Sequence, residues 1–175
     1  MKLVCAALLF VLTAASPAFA QWQSGGKPAP DTPDRKSVKG FGGHLIVVED
    51  PQGFIKEWLK PELPQIHPAA VVKGDKLLGA FVLFAGCKPD AERVCNAEVD
   101  YALYKPDGSL LEERKALPLW KKEAPPSPNV QLSSAILVFR LSKAHPEGEY
   151  KVKAVVHDLN ADVSFELETK FSLKQ

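Results

Sequence analysis

The closing stretch of the chain constrains its fold most. Tyr150, Val152, Ala154 and Val156 alternate with Glu149, Lys151, Lys153 and Val155. After a turn at Asp158-Leu159-Asn160-Ala161, Val163, Phe165, Leu167 and Phe171 alternate with Ser164, Glu166, Glu168, Lys170 and Ser172. Successive side chains of a strand point to opposite faces, so a period of two predicts two strands with one face in a core and one in solvent. An isolated hairpin is marginal in water, and these two strands therefore require more sheet around them.

The upstream sequence supplies it. Leu77 to Ala85 is almost wholly apolar, as expected of a strand covered on both faces. Ala97, Val99, Tyr101 and Leu103 alternate with polar neighbours up to a Lys105-Pro106-Asp107-Gly108 turn, where Pro presets φ and Gly tolerates φ > 0. Ser109 to Lys115 reads as the return strand, and its charges suggest a sheet edge. The Pro-rich stretch from Leu117 to Val130 reads as a long connection between sheets, and Ala135 to Leu141 as a further strand. At the front, His44 to Glu49 is a β-branched run. Asp50 and Pro51 then open a short helix to about Lys60, with Phe54, Ile55, Trp58 and Leu59 on one face. Pro61 and Pro64 end it.

These elements predict a mainly β protein: an antiparallel sandwich of about seven strands, preceded by a short strand-helix segment. The stretch Pro146 to Val155, the final strand Val163 to Leu173 and the Lys105-Pro106-Asp107-Gly108 hairpin resemble exported bacterial immunoglobulin-like or fibronectin-III-like modules. The resemblance covers roughly residues 66–174 and implies architecture alone; no functional residue carries over from it.

The N-terminus reads as a secretory signal peptide. Lys2, the apolar run Leu3 to Leu12 and the small residues of Ala18-Phe19-Ala20 predict cleavage after Ala20 and a periplasmic or secreted product. The expected organisation is then a signal peptide at 1–20, a flexible Pro/Gly-rich leader at 21–40, a strand and packing helix at 41–65, and the sandwich at 66–175. Losing Lys2 from 22 basic side chains leaves them equal to the 21 acidic ones. That balance argues against nucleic acid as a partner, since phosphate binding needs a basic excess. No further apolar run is long enough to span a bilayer. Losing Cys5 leaves Cys87 and Cys95, eight apart around a turn-rich segment, which in an oxidising compartment predicts a disulfide.

Chemistry-bearing motifs are sparse. His44, His67, His145 and His157 have no ligand spacing, and a periplasmic metal-binding protein using them is the alternative reading of function. Asp158, Asn160 and Asp162 open like a calcium loop, but Val163 and Thr169 stand where such a loop needs Gly and Glu, which favours an Asx turn. Ser127, Ser133, Ser134 and Ser142 lack a visible base, and the acidic pairs Glu112-Glu113 and Glu49-Asp50 lack a visible cleft. No cofactor is implied. The candidate interaction surface is Trp58, Trp120 and Arg93. Trp58 favours core packing because it lies on the helix's apolar face, whereas Trp120 sits among Lys121, Lys122 and prolines. The sequence therefore points to a non-catalytic binding module of the cell envelope, with another envelope protein as partner.

Overall fold

A computed structural model describes residues 22–24, 27–62, 64–126 and 129–175. Residues 1–20, expected to be a signal peptide, with Cys5 among them, and Ser127 lie outside the described residues. A two-residue pair, β1 (Gln23–Ser24) and β2 (Lys27–Pro28), precedes two sheets. The first sheet has the order β3-β4-β6-β9, from β3 (Arg35–Val38), β4 (Phe41–Glu49), β6 (Leu77–Ala85) and β9 (Gln131–Arg140). The second has the order β5-β11-β10-β7-β8, from β5 (Val71–Lys73), β11 (Val163–Lys174), β10 (Gly148–Asp158), β7 (Ala97–Tyr104) and β8 (Leu110–Trp120). Every pairing in the two sheets is antiparallel except β5 with β11. The helix α1 (Pro51–Trp58) follows β4.

The connectivity is of the immunoglobulin type. β4, β6 and β9 take the places of strands A, B and E, and β7, β10 and β11 those of C, F and G. Tyr150, near the start of β10, donates its hydroxyl to the Pro146 carbonyl at 2.8 Å, the corner such folds form at that strand. Two residues on, where antibody domains carry a bridging cysteine, stands the buried Val152.

The inner faces meet in one core that includes Leu45, Val82, Phe84, Tyr101, Val152, Leu167 and Phe171. Inside it, β6 and β9 shift register between Phe81 and Leu83. Ser133 serves that irregularity: its Oγ accepts from the Val82 N–H at 3.3 Å and donates to the Ala135 carbonyl at 2.7 Å. Tyr101 donates to the same carbonyl from the facing sheet, and burial pushes its phenol well up, keeping it a neutral donor.

A second, smaller core lies on the outer face of the first sheet. Ile46, Val48, Phe81 and Leu83 are buried there under Phe54, Ile55, Trp58, Ile66 and Trp22. Phe54 sits 5.1 Å from Phe81, ring to ring. Asp50 caps α1 by accepting from the Gly53 N–H at 3.0 Å. The helix is therefore the internal cover that the two-sided apolar strand required.

Four sequence expectations change. Among the described residues nine strands, rather than about seven, form the two sheets. The leader expected through Gly40 gives way to strand at Arg35, and β3 and β4 build half of the first sheet, which therefore begins well before residue 66. In β4 both faces are covered, so Phe41 to Glu49 shows no alternation to read. The connection expected from Leu117 instead remains strand as far as Trp120, because bulges and a left-handed Ala116 (φ 52°) break the period of two in β8.

Candidate functional site

The most constructed surface lies at one end of the sandwich, where the loops β6–β7, β8–β9 and β10–β11 meet. Immunoglobulin variable domains place their binding loops at one end of the sandwich in the same manner. The β6–β7 loop is closed by Cys87 and Cys95, with Cα atoms 5.9 Å apart. Both cysteines are buried. Within the loop, Asp90 accepts from the Glu92 and Val94 N–H groups, both at 2.9 Å, and holds a tight turn. That turn sets Arg93 in the left-handed region at φ 68° and leaves its side chain 78 % exposed.

Two neighbours clamp the loop from opposite sides. From the β10–β11 turn, the buried Asp158 carboxylate accepts from the Lys88 N–H at 2.7 Å and from the N–H groups of Asn160 and Ala161. Asn160 donates its amide to the carbonyls of Lys88 and Val94, both at 3.0 Å. The Asx turn is thus also the anchor of the stapled loop. From the other side, Cys95 donates to the Lys122 carbonyl at 3.0 Å and Ala124 to the Arg93 carbonyl at 2.9 Å. Trp120 closes this side. Its ring packs 5.4 Å from Phe84, its indole N–H donates to the Glu123 carbonyl, and Lys122 Nζ lies 3.9 Å above it.

The three candidate residues therefore separate. Arg93 and Trp120 come together at this end, bridged by Glu123, which stands 3.7 Å from the Arg93 guanidinium. Trp58 belongs to the helix cover, 6.0 Å from Phe54. Sequence reading missed Leu159, half exposed at the tip of the β10–β11 turn beside the stapled loop. An apolar residue at a turn tip was the available signal.

The outer face of the second sheet carries a different arrangement. Ser164 Oγ lies 2.8 Å from His157 Nδ1, and His157 Nε2 lies 3.6 Å from Asp100 Oδ2. The types match a hydrolytic triad, and three strands bring them together, which spacing in one chain could not show. The row crosses the outer face of the sheet with His157 and Asp100 each about a quarter to a third exposed, and Asp100 also lines a cleft with Glu113, Lys115, Lys153 and Glu166. Nearby, a cleft of about 360 Å³ is lined by Tyr104, Lys105, Glu149, Lys151, Lys153 and Lys170. Three of its lysines are paired: Lys153 with Glu166 at 2.9 Å, Lys170 with Glu149 at 2.9 Å, Lys151 with Glu168 at 3.5 Å. The hydrogen bonds from Lys153 to Glu166 and from Lys170 to Glu149 raise both ammonium pKa values.

The histidines do not converge. His44 faces Asp34 at 3.2 Å, His145 caps Ser142 locally, His157 joins the row above, and His67 is exposed in a connection. Among the described residues no three His, Cys, Asp or Glu side chains group as a metal requires. Among the same residues, no helix is long and apolar enough to cross a membrane.

No family model matches the chain, and no curated protein matches it in sequence. Solved structures resemble it distantly. A family 123 glycoside hydrolase from Clostridium perfringens aligns with a TM-score of 0.44 at 11 % identity, over 76 % of this chain and 27 % of that one. A β-glucuronidase from Parabacteroides merdae aligns with a TM-score of 0.38 at 16 % identity, over 58 % and 12 %. A Niemann-Pick type C2 protein from the Japanese carpenter ant aligns with a TM-score of 0.39 at 10 % identity, over 74 % and 89 %. The chain thus spans about a quarter and an eighth of the two enzymes it is similar to. The likeness is to several unrelated β-sandwich proteins, and to no single family.

Proposed function

We propose that the protein is an exported, non-catalytic binding module of the cell envelope that recognises another protein through its stapled loop end. One observation carries this reading. The loop bearing Arg93 is fixed three ways, by the Cys87–Cys95 disulfide, by Asp158 and Asn160, and by the Lys122–Ala124 segment. A surface fixed before binding loses little conformational freedom on association, which favours recognition. Around Arg93 it offers Leu159 for apolar contact and Glu92 and Lys122 as charges, the mixture of an interface rather than of a reaction centre.

Photo-crosslinking in the native envelope tests the proposal. A crosslinker at position 93 or 159 is expected to trap one discrete partner, and one at position 168, on the open sheet face, is not. Adducts at 168 with none at 93 or 159 would move the site to the other face. N-terminal sequencing of the natural product tests the export half, and a first residue other than Gln21 would overturn the cleavage reading.

A further inference from the structure

The cleft of about 360 Å³ on the outer face of the second sheet has a fixed wall and a charged floor. The wall is the β7–β8 turn. Asp107 accepts from the Ser109 N–H at 2.9 Å and from its hydroxyl at 2.7 Å, and the Lys105 N–H donates to the Ser109 carbonyl at 2.9 Å. Pro106 then seats against Gly148 at the start of β10, where an added Cβ would lie 3.0 Å from the proline ring. Tyr104 and Pro106 line the cleft from this side.

The floor is a row across three strands. Tyr104 of β7 stands opposite Lys151 of β10, and Lys151 opposite Lys170 of β11. Like charges directly opposed across a sheet are unfavourable. Lys153, two residues on in β10, and Lys105 line the same cleft. Among the described residues the lining thus carries four ammonium groups and one carboxylate, Glu149. Glu149, Glu166 and Glu168 offset three of the lysines, but an ammonium has three donors, so each keeps at least one. Lys105 joins no ion pair among the described residues.

We infer that this cleft binds an acidic saccharide, its carboxylate or phosphate held by Lys105, Lys151 and Lys170 and one sugar face laid on the Tyr104 ring. Charge-assisted hydrogen bonds supply the strongest contacts. Glu149 can accept from sugar hydroxyls, which a bare anion does not offer, and Tyr104 and Pro106 give apolar surface to the C–H face. Glu149, Glu166 and Glu168 oppose a long polyanion, so the site suits a single acidic group. Its volume lies at the lower end of small-molecule sites, about 300–1,000 Å³, which fits a short saccharide. The site lies on a sheet face, apart from the stapled loop end, and does not depend on it.

Titration of the purified protein, followed by amide chemical shifts, tests the inference with four probes: glucuronic acid, glucose 6-phosphate, glucose and inorganic phosphate. At least one acidic sugar is expected to shift the amides of Tyr104, Lys105, Lys151 and Lys170 saturably, and the one that binds tighter identifies the acid. Glucose and inorganic phosphate should each bind at least about 10-fold more weakly, because each lacks one half of the contacts. Lys105→Gln and Lys151→Gln should each weaken the acidic sugar about 10-fold, as loss of a charged hydrogen bond does. Tyr104→Ala should weaken the sugar and leave phosphate unchanged. Lys56→Gln, on the helix over the other sheet, should change neither. Matching circular dichroism establishes that the variants are folded. No saturable shift with either acidic sugar, inorganic phosphate binding as tightly as both, or affinity indifferent to Lys105→Gln and Lys151→Gln overturns the proposal.

Discussion

The two sheets share one core and turn opposite outer faces to their surroundings. The outer face of the first sheet is apolar, with Ile46, Val48, Phe81 and Leu83 buried beneath α1, Ile66 and Trp22. The outer face of the second is a lattice of charge, in which Lys151, Lys153 and Lys170 meet Glu149, Glu166 and Glu168. An apolar second face has to be covered, so the chain spends a helix on it. A charged second face can remain in water and needs no cover. The fold's energy should therefore be concentrated on the helix side, and the ladder of ion pairs should matter little.

Removing the centre of the covered face gives the largest expected effect. Phe81 is fully buried beneath Phe54, and Phe81→Ala should cost about 3–5 kcal/mol through lost burial and the cavity left behind. Chemical denaturation measures it. A cost near that of an exposed substitution would show that the helix adds nothing.

The seat of the helix gives the next. A Cβ on Gly79 would lie 2.7 Å from Pro51 and 2.8 Å from the Phe81 ring. Gly79→Ala must lift the helix start, at roughly 1–3 kcal/mol for overpacking. Asp50→Ala removes the cap on Gly53 and should cost about 1 kcal/mol. The two losses should add less than fully if both act by loosening the same helix, which a double-mutant cycle in urea would show.

Legibility in the sequence followed the same division. Strands with one wet face announced themselves: β10 and β11 show period two because solvent meets every second residue. The disulfide, the helix and its cap were also readable, because Cys87 and Cys95, Asp50, Pro51 and the face of Phe54, Ile55 and Trp58 act locally; Leu59, expected on that face, instead stands exposed past the helix end. β4, covered on both sides, gave no alternation, and β3 is too short and polar to signal anything before it pairs. The site divided likewise. Arg93 in its stapled loop could be singled out from spacing, but its anchors Asp158 and Asn160 come from about seventy residues away. The row Ser164–His157–Asp100 likewise needs the fold, since three strands assemble it.

On the open face the expected effects are small. The Lys153–Glu166 pair, 2.9 Å apart and substantially exposed, should show a coupling below about 1 kcal/mol in a double-mutant cycle, since screened surface pairs rarely give more. A larger coupling would make the charged lattice a structural element and weaken the contrast between the faces.

The seam beside β3 should add a pH dependence that only the covered side feels. Burial lowers the His44 pKa despite the pull of Asp34, 3.2 Å away. Burial raises that of Asp34, but the Thr32 hydrogen bond, its own backbone and His44 together bring it below its usual value. Both groups therefore titrate lower folded than unfolded, and the unfolded chain binds protons first as pH falls. Stability from His44 is fully present above pH 6.5, its ordinary value, and drains away below it; that from Asp34 follows below 3.8. Thermal melts should hold level from pH 8 to about 6.5 and then decline. In His44→Gln the decline should begin only in the carboxylate range. His157→Gln, on the open face between Ser164 and Asp100, is the comparison variant. If His157→Gln flattened the mild-acid slope and His44→Gln did not, the sensitive face would be the charged one, and the covered face would not be where this fold responds to acid.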